Sequence, residues 1–164
     1  MTMFSALSED ASQNINQVLR ELLEQVEAEA VFFCDRGGNI IASQSVSQQG
    51  NEENVAALAA GSFFATLTMA KLVGETEFQN MLHQGEKTSI YMEGLKGDMI
   101  LVVIFSKDSN PGLVKLYAKT ACQQLEPFKL SLVYDEKQMR TIPHMEVNAE
   151  AEAFTASKPS SKKN

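Results

Sequence analysis

The sequence predicts an α/β sandwich around a largely antiparallel five-stranded sheet. Two observations carry this: apolar residues recur at helical spacing in three segments, and five short β-type runs separate them in the order helix, two strands, helix, three strands, helix. A third supports it, because most junctions carry Gly, Asn, Asp or Pro.

The first helix starts at Ser8-Glu9-Asp10, a cap followed by acidic residues at the positive end of the helix dipole. Ile15, Val18, Leu19, Leu22, Leu23 and Val26 then form one apolar stripe, while Arg20, Glu21, Glu24 and Glu27 face away. In AVFFCDRGGNIIAS, Ala30–Cys34 and Asn39–Ser43 read as hairpin strands joined by Asp35-Arg36-Gly37-Gly38. No GxxxxGK[ST] or GxGxxG surrounds the glycine pair, so a hairpin is preferred to a phosphate cradle. SVSQQGNEEN is polar and reads as a loop, and the helix Asn54–Glu75 follows with Gly74 as its C-cap.

FQNMLHQ, Phe78–Gln84, is a short strand. Thr88–Glu93 and Met99–Phe105 are stronger strands joined by Gly94–Asp98, and MILVVIF is apolar throughout, as suits a central strand covered on both faces. A third helix begins after Asn110-Pro111, with Leu113, Leu116, Tyr117, Thr120, Ala121, Leu125 and Phe128 on one stripe. Pro127 is expected to kink or end it, with a continuation as far as Leu132. The expected organisation is an N-terminal segment 1–8, one domain 9–134 and a disordered tail 135–164.

Composition excludes several function classes. A formal net charge of −7 argues against a dedicated nucleic-acid binder, which needs concentrated Lys and Arg. Cys34 and Cys122 lie far apart in apolar segments, and His83 and His144 have no metal-ligand spacing, so no metal or cofactor is expected. MTMFSALSED lacks the features of a secretory signal, and no apolar run approaches the roughly 20 residues that span a bilayer. The expectation is a cytoplasmic protein with no membrane insertion.

The second helix, NVAALAAGSFFATLTMAKLVGE, lacks an ordinary solvent face. At about 100° per residue, Val55, Leu58, Ala59, Ser62, Ala65, Thr66, Met69, Leu72 and Val73 cluster on one side, taken as the sheet-packing face. Ala56, Ala60, Phe63, Phe64 and Leu67 cluster opposite, with Ala57, Gly61, Thr68 and Lys71 along the margin. A helix apolar all round should be buried all round. The second face is therefore expected to pair with a second copy, giving a homodimer through an isologous contact.

VFFCDRGGNIIAS, ALAAGSFFATLTMAKLVGETEF, SIYMEGLKGDMILVVIF and GLVKLYAKTACQQL resemble the bacterial Roadblock/dynein light chain family, in its MglB type. The most specific markers are AKLVGETEFQNMLHQGEKTSIY and the hairpin pattern Val31, Phe33, Asp35, Gly38, and the likeness runs from about Ala11 to Tyr134. The resemblance implies a Roadblock-type α-β-β-α-β-β-β-α sandwich. It further implies homodimers whose sheets join through the third strand, including Phe78, Gln79, Asn80, Met81 and Leu82. The paired second helices, with the margin and platform residues above, would then receive a small Ras-like GTPase of the MglA type.

By the same resemblance the protein is a GTPase-activating protein of a cell-polarity and motility module, recruited to a cell pole and meeting other polarity proteins. Such proteins insert no catalytic arginine, and this chain has no P-loop, no Ser-His-Asp set and no carboxylate pair, so no catalytic residue of its own is assigned. Arg36 and Arg140 are the arginines that could reach outward, and a solvated surface charge is the preferred reading of each. One departure stands out: family members carry a run of small residues after the helix-two glycine, where this chain has Ser62-Phe63-Phe64-Ala65-Thr66. The two rings would be an aromatic hot spot or an obstruction to the standard pose. A scaffold that recruits a GTPase or polarity protein without activating it is the alternative function, and a small-molecule sensor is a third reading.

Overall fold

The computed structural model describes residues 8–96 and 98–128. The expected tail 135–164, the continuation to Leu132 and most of the N-terminal segment lie outside these residues. The observed order is α1 (Glu9–Gln25), β1 (Ala30–Asp35), β2 (Ile40–Ser45), α2 (Glu52–Leu72), β3 (Asn80–Gln84), β4 (Thr88–Leu95), β5 (Met99–Ser106) and α3 (Pro111–Leu125). A single 3-10 turn, Glu126–Phe128, follows α3 and contains Pro127. Every strand pairing is antiparallel, in the order β2-β1-β5-β4-β3.

Local chemistry sets the helix ends. Ser8 Oγ accepts from the Ala11 N–H at 3.2 Å, and Asn110 Oδ1 accepts from Gly112 N–H at 2.8 Å, with Pro111 in the first turn where its missing donor costs nothing. The α2 start differs: Asn51 makes no side-chain cap, and the Glu52 carboxylate instead accepts from Gln49 N–H at 2.8 Å. Its own backbone N–H first, and then that of Gln49, hold the Glu52 carboxyl below the usual carboxylate range. Gly74, with φ +84°, closes the C-terminal end of α2 as expected.

β5 is the central strand and, with β1, is buried on both faces. On one face α1 and α3 cover Val31, Phe33, Leu101, Val103 and Phe105 with Ile15, Leu19, Leu22, Val114, Ala118 and Leu125. On the other, α2 is the one described helix over Phe32, Cys34, Met92, Ile100 and Val102. Burial pushes the Cys34 thiol up to about 12, so it is an inert core group.

Several details differ from expectation. β3 begins at Asn80, so Phe78 and Gln79 precede the strand, although the Gln79 carbonyl still accepts from Gly94 N–H at 2.8 Å. β4 runs through Leu95, and a tight turn with Asp98 at φ +62° replaces the longer linker. The buried stripe of α3 is rotated: Val114, Ala118, Ala121, Cys122 and Leu125 face the core, leaving Leu113 and Leu116 exposed. The apolar i, i+3, i+4 pattern of α3 admits both settings, and packing beside α1 selects the one with the smaller residues inward.

Candidate interaction surface

The faces of α2 differ from the sequence expectation, although Val55 and Ala59 pack on the sheet as expected. Ala56, Ala60 and Phe63, assigned to a partner platform, are buried against the protein's own sheet together with Ala59 and Ala70. Leu58, Met69, Leu72 and Val73, assigned to the sheet, are 57–83% exposed. Periodicity identified two apolar faces, and the sheet's shape decided between them. Gly94 on β4 leaves a gap that the Phe63 ring fills; a Cβ there would sit 2.9 Å from Phe63 Cζ. At the other end, Gly38 in the β1–β2 turn lies against the α2 backbone, where a Cβ would be 2.4 Å from Ala57 Cα. Alanines on the inner side permit that close approach. The surface so approached is the protein's own sheet.

α2 is also long and apolar enough, by length and composition, to cross a bilayer. The uncharged run Asn54–Ala70 thus corrects the expectation that no apolar run approaches the length of a membrane span. In the fold this helix is the sole described cover of Phe32, Ile100 and Val102, and its departure would expose them to water.

The remaining platform residues divide. Ala57, Gly61, Thr68 and Lys71 are exposed, and an added Cβ at Gly61 would meet nothing within 4 Å. Phe64 and Leu67 are half-buried. Phe64 meets Phe63 edge-on, with centroids 5.5 Å apart and planes at 85°. The Arg36 guanidinium stands 5.1 Å above the Phe64 ring and pairs with Asp98 at 3.3 Å. Both members of that ion pair are about half exposed (55% and 51%), so it is worth at most about 1 kcal/mol. Its consequence is geometric: Arg36 links the β1–β2 and β4–β5 turns to α2.

β3 is the terminal strand of the sheet, with Leu82 and His83 exposed and Met81 half-buried. Met81 Sδ lies 3.8 Å from Ser62 Oγ of α2, so the strand edge and the outer helix face adjoin. The exposed apolar side chains of α2 went unrecognised as surface in the sequence reading. The signal that could have identified them is the pairing of a large ring, Phe63, with a glycine inside a strand, Gly94.

On the opposite face, Tyr91 O–H donates to the Glu93 carboxylate, and both residues are buried. Burial raises Glu93 above the usual carboxylate range, partly offset by that hydrogen bond and by Lys119 and Lys115. A raised folded-state value means folding takes up a proton. The contribution is fully present below the ordinary value of about 4.3 and is lost as pH rises through the raised one. Glu93→Gln keeps an acceptor for Tyr91 and removes the buried charge. Its stability relative to the parent should therefore increase between about pH 4.5 and 7.5, read as urea midpoints. A variant that loses ground over that interval would show that the lysines outweigh burial. Among the described residues, no three His, Cys, Asp or Glu side chains gather to hold a metal ion.

The Roadblock/LC7 domain profile matches residues 14–105, from α1 into β5. The chain belongs to the Roadblock/LC7 family. Among solved structures, this Roadblock chain is similar to MglB of Myxococcus xanthus at 36% identity and TM-score 0.70, covering 77% of this chain and 95% of that one. It is similar to the gliding protein MglB of Thermus thermophilus at 30% identity and TM-score 0.70, covering 74% and 93%. A structure described as MglB with a tetrameric arrangement matches at 30% identity and TM-score 0.70, covering 74% and 92%. Comparison with curated protein sequences finds no match. The α-β-β-α-β-β-β-α Roadblock sandwich read from the sequence is thus the observed fold.

Proposed function

We propose that this Roadblock protein is a cytoplasmic homodimeric regulator that binds a small Ras-like GTPase of the MglA type and stimulates its GTP hydrolysis in a polarity or motility module. One observation carries the reading: α2 keeps Leu58, Met69 and Leu72 in solvent, and β3 ends the sheet with no further strand beside it among the described residues. Fully burying each such side chain is worth roughly 1.5–3 kcal/mol. A two-fold pair of α2 helices with joined β3 edges would bury them, with Gly61 and Ala65 allowing close approach. The likeness to MglB structures, one with a tetrameric arrangement, supports self-association. The platform is accordingly Leu58, Gly61, Ala65, Thr68, Met69 and Leu72, with Lys71 at its border. Phe63 is withdrawn beneath it and cannot obstruct a partner.

Two measurements test this. Met69→Glu combined with Leu72→Glu should give a monomer mass by light scattering, at a concentration where the parent is a dimer, with an unchanged circular dichroism spectrum. A dimer persisting in the double variant overturns the assignment of that face. Adding the parent to its cognate GTPase should accelerate single-turnover GTP hydrolysis. Binding with unchanged turnover would leave the scaffold reading in its place.

A further inference from the structure

We propose that β3 pairs antiparallel with the β3 of a second copy about a two-fold axis at Leu82. Asn80 then lies opposite the partner's Gln84, and Met81 opposite the partner's His83. The inference rests on the homodimer proposed above and fixes what that reading leaves open, the register of the joined edges.

The chain's own backbone sets which groups are available. Gly94 N–H donates to the Gln79 carbonyl at 2.8 Å, and Gly85 N–H donates to the Thr88 carbonyl at 3.0 Å. Both bonds belong to the register that pairs Asn80 with Glu93 and Gln84 with Ser89. Bonded pairs of an antiparallel ladder recur every second residue. Met81 and His83 therefore spend their N–H and C=O on β4. Asn80, Leu82 and Gln84 turn theirs to the side on which no described strand lies.

That edge lacks the usual guards. Edge strands kept from pairing commonly carry a charge, a proline or a bulge. Asn80–Gln84 contains no Lys, Arg, Asp, Glu or Pro and keeps an unbroken register with β4. Its outward residues read amide, leucine, amide, so a two-fold axis at Leu82 sets leucine on leucine and amide on amide. Each amide offers the other both a donor and an acceptor. A slip of one residue would set these backbone groups against others already spent on β4. A slip of two would leave one end of each strand without a partner. Met81 and His83 share the α2 side of the sheet, where Met81 Sδ lies 3.8 Å from Ser62 Oγ. The join thus brings the partner's His83 beside Met81, and both copies build the surface along α2.

Cysteine cross-linking of the full chain reads the register, since Cys34 and Cys122 are buried. Opposed Cα atoms in such a ladder lie about 4.5–5.5 Å apart, within disulfide reach. Diagonal ones lie about 7–8 Å apart, beyond it. Leu82→Cys should therefore oxidise to a covalent dimer at least about tenfold faster than Met81→Cys or His83→Cys alone. Mixing the Met81→Cys and His83→Cys chains should give chiefly the mixed dimer. Fastest closure by Met81→Cys alone, or by His83→Cys alone, would mean a slip of two residues and overturn this register with the joined edges intact. If no variant cross-links in samples that light scattering shows to be dimeric, the β3 contact itself is refuted. A monomeric parent would instead overturn the homodimer on which the register rests.

Discussion

Phe63→Ala is expected to destabilise the fold by about 3–5 kcal/mol, the range for deleting a buried ring. Phe63 is 4% exposed and packs with Phe32, Met92, Ile100 and Val102 on a sheet face that, among the described residues, α2 alone covers. Its ring also fills the space above Gly94, where no side chain from the strand can follow if the ring is removed. The cavity can collapse only if α2 moves toward the sheet, and Gly38 already holds the helix backbone at closest approach. Urea denaturation should show a lowered midpoint with an unchanged slope. Phe63→Arg should fail to fold at all, because it buries an unpaired charge. If Phe63→Ala left stability intact and only weakened partner binding, α2 would have to be turned over relative to the fold described here. Met69→Glu, further along the helix on its outer side, provides the contrast: it should retain monomer stability.

The second large effect is at Gly38. Its φ of +81° lies in the left-handed region, and a Cβ would stand 2.4 Å from Ala57 Cα, 2.9 Å from Ala57 N and 3.1 Å from Ala56 O. Backbone strain of roughly 1–3 kcal/mol adds to an overpacking cost of about 1–3 kcal/mol. Gly38→Ala should therefore cost roughly 2–6 kcal/mol, seen as a large fall in thermal midpoint. The neighbours are all backbone atoms, which gives a sharper test. Gly38→Ala with Ala57→Gly should be no more stable than Gly38→Ala alone, since shortening residue 57 removes none of the atoms that clash. Recovery in the double variant would mean that the conflict lies with the Ala57 side chain.

These two glycines also mark the limit of what could be read from the chain in one dimension. Helix α1 was legible because its stripe, Ile15, Leu19, Leu22 and Val26, is opposed by charged residues, so only one orientation buries apolar surface. β5 was legible because MILVVIF has no polar side to expose. α2 and α3 were legible as helices but not in their rotation. α2 offers two apolar faces of similar extent, and α3 offers Leu113 and Leu116 as readily as Val114 and Ala118. In both, the side with the smaller residues turned inward.

The candidate surface followed the same rule. That α2 is apolar all round was readable from its period. Which residues compose the surface was not. Ala57, Gly61, Thr68 and Lys71 remain outside, whereas Ala56, Ala60 and Phe63 exchanged places with Leu58, Met69 and Leu72.

Element order, sheet membership and family thus come from the sequence alone, because hydrophobic period and turn chemistry are local properties carried by neighbouring residues. The tertiary structure alone decided the sense of α2 and with it which of its side chains stay in solvent. That choice depends on shape complementarity between residues far apart in the chain: Phe63 over Gly94, and the backbone of Ala57 against Gly38. A period records how often an apolar side chain returns, and it holds no information about the shape waiting on the sheet.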